Sequence, residues 1–187
     1  MSSSAVMLNC SMPSTPLIET ERLRLRAVTP DDLGELVRLH ADSLVARFMG
    51  SPTREWLANW LRSSDEEWEE RGHGRLAIVE QESGRFLGRT GLKYWSQFGE
   101  TEAGWALHAE ARGRGYATEA AGAVLDWATG RFDVPYFTAM VRPDNTASIA
   151  VAERIGMTPL RPDKLLGDPV TVYATERRPT ASRYSIS

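Results

Sequence analysis

The sequence predicts a mixed α/β fold in one domain, around a partly antiparallel sheet. Three observations lead there. Strand-like and helix-like runs interleave along the chain, and three strand-like runs follow one another with only short connections. An alanine-rich run at helical spacing then follows directly on the glycine-rich stretch "ARGRGYA".

The first strand is "RLRLRAV", Arg22 to Val28, in which Leu23, Leu25 and Ala27 alternate with charged residues as in a half-buried strand. "TPDD" follows, with Thr29 as N-cap and Pro30 at the first helical position. Leu33, Leu36, Val37 and His40 then recur at helical spacing. A second helix starts near "SPTREW" and runs to about Arg71, with Trp56, Leu57, Trp60 and Leu61 as its apolar stripe. Next come the strands "RLAIVE" (75–80), "FLGRTGLKYW" (86–95) and "EAGWAL" (102–107), whose short connections suggest an antiparallel meander.

The helix from about Tyr116 to Gly130 presents Ala117, Ala120, Ala121, Val124, Leu125 and Ala128, a small-residue face able to lie close on a sheet. "YFTAMV" (136–141) is a further strand. Asn145 caps a short helix, "TASIAVAERI", that Gly156 ends. A short strand near "MTPL", a loop from Lys164 to Pro169 and the strand "VTVYATE" (170–176) complete the order.

Composition narrows the function. The 187 residues are 42% apolar and 25% charged with a net charge of −3, as in an ordinary globular protein. A pI near 5.7 argues against a generally basic nucleic-acid binder. No run approaches the ~20 apolar residues of a membrane helix. Cys10 is the one cysteine, so an intrachain disulfide is impossible, and a reducing, cytoplasmic setting is expected. The leader "MSSSAVMLNCSMPSTP" has neither a basic segment nor a continuous apolar one and reads as a mobile tail. Three histidines and one cysteine give no metal-ligand spacing, so no metal is expected.

"ARGRGYA" has two readings. Glycine serves turns that other residues avoid. Alternatively, the amides from Gly113 to Ala117 converge at a helix N-terminus as a phosphate cradle, with Arg112 and Arg114 adding charge at its mouth. A dinucleotide fingerprint fails because Thr118 stands where a third glycine is needed, and no Walker lysine motif occurs.

"ARGRGYATEA" resembles the Gln/Arg-x-x-Gly-x-Gly/Ala signature of the GNAT N-acetyltransferase superfamily, with Arg112, Gly115 and Ala117 at its key positions. "RPDNTASIAVAERIGM" resembles a second block in the form found in ribosomal-protein N-terminal acetyltransferase-like (RimJ/RimL-like) members. Asn145, Ala147, Ser148, Ile155, Gly156 and Met157 follow its order. "ETERLRLRAVTPDD" and "FLGRTGL" are similar to the same subgroup, and the resemblance spans roughly residues 17–176. It implies one acetyltransferase domain over 17–176 between tails at 1–16 and 177–187. It also implies a central, mostly antiparallel sheet splayed between two parallel strands, 102–107 and 136–141.

Acetyl-CoA, by this resemblance, is the co-substrate, its pyrophosphate on Arg112, Gly113, Arg114, Gly115, Tyr116 and Ala117, with Asn145 on the pantetheine arm or ordering the backbone there. The oxyanion would meet a backbone N–H near Leu107. Glu102 is the candidate base, directly or through a water; its other reading is a polar strand edge. His108 is weaker, a surface cap or cofactor contact being the readier account, and Glu119 reads as bonding at the helix start. Many members carry a tyrosine acid where this chain has Ala152, and Ser148 is the candidate substitute. A thiolate of pKa about 8.5 can leave without one.

The implied activity is acetyl transfer to a primary amine, on a protein N-terminus or a small molecule. A second reading is an inactive acetyl-CoA-binding regulatory module, and a third, weaker one is a donor such as succinyl-CoA, which asks for an added cation near the thioester that the sequence does not reveal. A monomer or homodimer with no nucleic-acid or membrane partner is expected. Of six tryptophans, most are assigned to the core and one or two to an acceptor pocket.

Overall fold

The computed structural model describes residues 16–176. The expectations for Cys10, the leader up to residue 15 and the tail 177–187 lie outside the described residues. Eight strands form one sheet: β1 Ile18–Glu19, β2 Leu23–Ala27, β3 Arg75–Glu80, β4 Phe86–Trp95, β5 Glu100–Leu107, β6 Thr138–Val141, β7 Met157–Leu165 and β8 Asp168–Thr175. Their order across the sheet is β1-β2-β3-β4-β5-β6-β8-β7. The helices are α1 Leu33–Ala41, α2 Ser43–Met49, α3 Arg54–Arg71, α4 Tyr116–Thr129 and α5 Thr146–Arg154. Every neighbouring pair is antiparallel except β5–β6, which is parallel and meets only at Glu102 opposite Thr138. Beyond that bridge the strands part, which is the expected splayed sheet.

Residues directly opposite one another on paired strands share a face. Arg75 lies opposite Gly91, Ala77 opposite Arg89, Lys93 opposite Glu102, Gly91 opposite Gly104 and Arg89 opposite Ala106. All eight therefore face the same way. On that face Ala77 and Ala106 pack with Leu36 and Leu39 of α1, Val45 of α2, and Leu57 and Leu61 of α3. The opposite face carries Leu76, Ile78, Leu92, Ala103 and Leu107, which pack with Ala120, Val124, Leu125 and Ala128 of α4. The alanines let α4 approach the sheet closely, as its small-residue face predicts.

Local chemistry sets the element ends. Thr29 and Pro30 open a short 3-10 turn, Pro30–Asp32, ahead of α1. There Asp32 accepts from the Thr29 amide at 2.8 Å and pairs with Arg26 through two 2.7 Å bonds. Asn145 Oδ1 accepts from the Ser148 amide at 3.1 Å, so it is an N-cap as expected.

Four expectations change. Trp56 is 52% exposed, and the buried stripe of α3 is Leu57, Leu61, Ser64 and Trp68. α2 is an extra helix, too short to show periodicity, started by Asp42 accepting from the Leu44 and Val45 amides. The strand starting at "MTPL" runs on to Leu165, so the expected loop at 164–169 shrinks to a turn at Leu166 and Gly167. β7 is an edge strand, where Pro159, Pro162 and charged residues are tolerated and the apolar pattern fades. The strand expected from Tyr136 begins only at Thr138.

Candidate active site

A cavity of about 990 Å³ runs from the head of α4, past the β5–β6 gap, to the face of β4 beneath α2 and α3. One wall is backbone. Gly113 and Gly115 adopt φ of 74° and 81°, left-handed values that favour glycine and that turn the chain from the 109–111 turn into α4. The Arg112 amide still bonds to the Ala109 carbonyl, and the Glu119 amide is the next to find a backbone acceptor, Gly115, at 3.0 Å. Among the described residues, the amides from Gly113 to Thr118 have no such partner. That is the electropositive nest that suits a phosphate.

The second wall is the free edge of β5. His108 donates its amide to Leu87 across the β4–β5 pair at 2.9 Å, so Gly88–Leu107 is a non-hydrogen-bonded pair. The Leu107 N–H therefore points away from β4, into the gap that β6 has vacated. This is the geometry expected of an oxyanion donor and of an edge along which an extended amide chain can pair.

Of the two cations expected at the cradle's mouth, Arg112 lines the cavity and Arg114 does not. Arg112 turns back: its Nη2 lies 2.6 Å from Asp42 Oδ1, and its Nε and Nη2 bond to the Leu107 carbonyl at 3.2 and 3.0 Å. Its guanidinium holds the Asp42 carboxyl below the usual carboxylate range. Arg114 lies outside the cavity lining, over the Tyr116 ring and 3.7 Å from Glu80. Tyr116 contributes backbone to the nest, because its hydroxyl donates to Glu80 at 2.5 Å.

Arg22, which the sequence reading does not single out, stands beside the nest without lining the cavity. It bonds to the Arg114 carbonyl at 2.9 Å and lies within 3.4 Å of where a Gly115 Cβ would stand. Glu119 holds it there, accepting from Arg22 Nε at 2.7 Å and from the Thr20 hydroxyl at 2.6 Å. Glu119 thus anchors the β1–β2 turn rather than the start of its own helix. No local motif ties Arg22 to Gly115; they meet only through the sheet.

At the gap, Glu102 lines the cavity with both oxygens engaged. Oε2 accepts from Trp95 Nε1 at 2.6 Å, and Oε1 from the Met140 amide at 3.3 Å, a donor on the diverging β6. On α5, Asn145, Ala147, Ser148 and Val151 line the cavity. Ala152, where the resemblance implies a tyrosine, is fully buried in the core. His108 is 3% exposed under α1, its Nε2 3.2 Å from Glu35, and it does not line the cavity; the readings as surface cap or cofactor contact give way to a packed histidine. Burial, with Arg38 nearby, lowers its pKa. Trp56, Trp60, Trp95 and Trp105 line the cavity, while Trp68 and Trp127 pack together inside.

The far wall is cationic. Arg75, Arg89 and Lys93 line it beside Trp60. Arg75 bonds to the Leu92 carbonyl and lies 3.7 Å from Glu67, and Lys93 sits 3.7 Å over the Trp95 ring. Among the described residues, no cluster of three His, Cys, Asp or Glu is placed to hold a metal ion.

Comparison with known proteins agrees with this fold. Residues 22–158 match the acetyltransferase (GNAT) domain family model, and the chain belongs to that family. YkkB of Bacillus subtilis, itself uncharacterised, is 33% identical over 164 residues, 82% of this chain and 92% of YkkB. An acetyltransferase crystal structure from Agrobacterium tumefaciens superimposes with a TM-score of 0.78 at 34% identity, covering 88% of this chain and 96% of that one. RimL, a ribosomal alpha-N-protein acetyltransferase, in complex with coenzyme A gives 0.73 at 21% identity, covering 87% and 98%, a likeness of fold.

Proposed function

We propose that the protein moves an acetyl group from acetyl-CoA to a primary amine in the cavity between β5, β6 and α5. The observation that carries this reading is the run of unpaired amides from Gly113 to Thr118, set beside the unpaired edge of β5 in one cavity. A pyrophosphate fits the first and a pantetheine amide chain the second. Acetyl-CoA supplies an activated thioester carbonyl.

This chain's residues supply the rest. The Leu107 N–H faces the position where carbonyl charge develops as the amine nitrogen attacks. Glu102 takes the amine's proton, directly or through a water, as the carbon–sulfur bond breaks. Ser148, on α5 and lining the cavity, is the side chain to hydrogen-bond the departing sulfur in this reading. The amide nest, Arg22 and the Asn145-capped turn hold the cofactor in register. The single cysteine, which cannot form an intrachain disulfide, fits a reducing, cytoplasmic setting. A protein N-terminus, as in RimJ/RimL-like relatives, and a small amine are the two acceptor classes this scaffold suits.

Titration calorimetry with acetyl-CoA, followed by thiol-release assays over an amine panel, tests the proposal. Micromolar binding with amine-dependent thiol release supports it. Binding without turnover on any amine turns the reading to a regulatory module, and no binding removes both.

A further inference from the structure

The cavity's far wall holds a charge that the acetyl-transfer reading leaves unused. Arg89 is 9% exposed, yet among the described residues no carboxylate lies within ion-pair distance of it. Its Nε has no hydrogen-bond partner, and its Nη2 reaches only Met49 Sδ at 3.7 Å. The guanidinium carbon stands 5.2 Å from the centre of the Trp60 ring. Burial and the neighbouring Arg75 push its pKa down to about 9. A buried guanidinium with unspent donors is costly unless something supplies the anion, and its planar fork matches a carboxylate or phosphate.

The floor beside it is bare. Gly91 lies between Arg89 and Lys93 on β4, and Gly104 lies between Glu102 and Ala106 on the paired strand. A Cβ added at Gly104 would meet nothing within 4 Å. Gly91 has φ +124°, and a Cβ there would fall 2.3 Å from the Gly74 carbonyl oxygen, so neighbouring backbone keeps that position free of a side chain. Between Arg89 at one end and Glu102 at the other there is room for a small molecule. Glu102 makes no ion pair with Arg89: its oxygens are taken by Trp95 and Met140, and its charge acts on the guanidinium only from a distance.

We propose that the acceptor is a small amine bearing an anionic group, a carboxylate or a phosphate, bound by Arg89 while its nitrogen lies toward Glu102. This rests on the acetyl-transfer reading and narrows its acceptor away from a protein N-terminus. It also separates the anion from the acyl donor: the guanidinium belongs to the wall under α2 and α3, across the glycine floor from the β5–β6 gap.

The full chain is assayed with acetyl-CoA against α- and ω-amino acids, their uncharged carboxamides and the matching aminoalkyl phosphonates, as wild type and as Arg89→Met. Wild type is expected to favour the anionic amine over its amide by at least about tenfold in kcat/KM, mainly through KM, a discrimination within the reach of a charge-assisted bond. The Arg89→Met preference is expected to fall below about threefold, with Arg89→Lys, which keeps the charge but not the fork, between the two. The phosphonate arm tells a phosphate site from a carboxylate site.

Equal use of acid and amide by wild type overturns the proposal, as does a preference that survives in Arg89→Met. A preference for succinyl-CoA over acetyl-CoA that Arg89→Met abolishes also overturns it, placing the anion on the donor. So does turnover of an acidic peptide with none of the small amines. A second measurement needs neither turnover nor a variant: calorimetry of coenzyme A-loaded wild type with the N-acetyl acids and N-acetyl amides. Acid-selective binding without turnover would defeat the acetyl-transfer reading and leave the anion site standing; unselective binding overturns the site.

Discussion

Arg112 Nη2 lies 2.6 Å from Asp42 Oδ1, so the arginine of the glycine-rich signature ties the start of α2 to the end of β5. Asp42 also accepts from the Leu44 and Val45 amides, and one carboxylate oxygen thus caps a helix and anchors the loop ahead of the nest. Asp42→Ala is expected to cost about 1 kcal/mol for the cap alone and to lower Tm by a few degrees. Arg112→Ala is expected to lower Tm similarly and to weaken acetyl-CoA binding, with Asp42→Ala reproducing both effects. Arg114→Ala changes either little. Differential scanning fluorimetry with calorimetry checks this. Weaker binding in Arg112→Ala at unchanged Tm, with Asp42→Ala silent, would return Arg112 to direct phosphate contact.

Arg22 and Glu119 act as a pair beside Gly115. Arg22→Ala is expected to weaken acetyl-CoA binding roughly five- to tenfold, as loss of one partly exposed charge-assisted contact would. Glu119→Ala is expected to weaken binding as well and to cost about 1–2 kcal/mol of stability, since it strips partners from the Thr20 hydroxyl and Arg22 together. Urea unfolding and cofactor titration of the two variants separate the effects. Unchanged affinity in Arg22→Ala would remove this residue from the site.

Glu102 has both a structural and a proposed chemical role, and two substitutions divide them. Glu102→Gln keeps an acceptor for Trp95 Nε1 and is expected to lower kcat by about a hundredfold with acetyl-CoA affinity unchanged. Glu102→Ala should lower Tm too, because it leaves the Trp95 indole N–H unpaired in a half-buried site. A kcat for Glu102→Gln within twofold of wild type would make this carboxylate an anchor for β6 only.

Burial pushes the His73 imidazole down to about 4, with Arg71 and Arg75 adding to the effect, and burial also lowers His40. A histidine depressed in the fold binds its proton more readily when unfolded. Its stabilising contribution is therefore complete above about pH 6.5 and shrinks as the pH falls toward 4. For His73 alone the loss over that window is about 3 kcal/mol. Depressed carboxylates such as Asp32 and Glu119 add their own losses only below about pH 4.5. Urea midpoints at pH 7.5, 6 and 5 should fall in that order, and His73→Phe, whose ring stays beside Phe132, should flatten the slope. A midpoint constant from pH 7.5 to 5 would contradict the assignment.

Much of this was legible along the chain because it is local. The β3–β5 meander, the alanine face of α4 and the Asn145 cap each follow from residues within one or two turns of each other. The glycines at 113 and 115 announced an unusual backbone, and the structure finds left-handed φ values there. Where the local pattern was weak the reading failed: α2 is too short for a period, and β7 carries prolines and charges that an edge strand tolerates.

Fold class, the glycine turn into α4 and the family signature could be read along the chain, since these depend on backbone propensities and spacing within short segments. Which partners the cations find depends instead on tertiary packing. Arg112 and Arg114, adjacent to the nest in sequence, turn to Asp42 and to Glu80. Arg22, just ahead of β2, reaches the Arg114 carbonyl beside the nest, and Arg89 is buried beneath Met49 of α2 and Trp60 of α3 without an ion-pair partner among the described residues. Side-chain direction and pairing depend on what the sheet brings opposite, and no period within a segment carries that information.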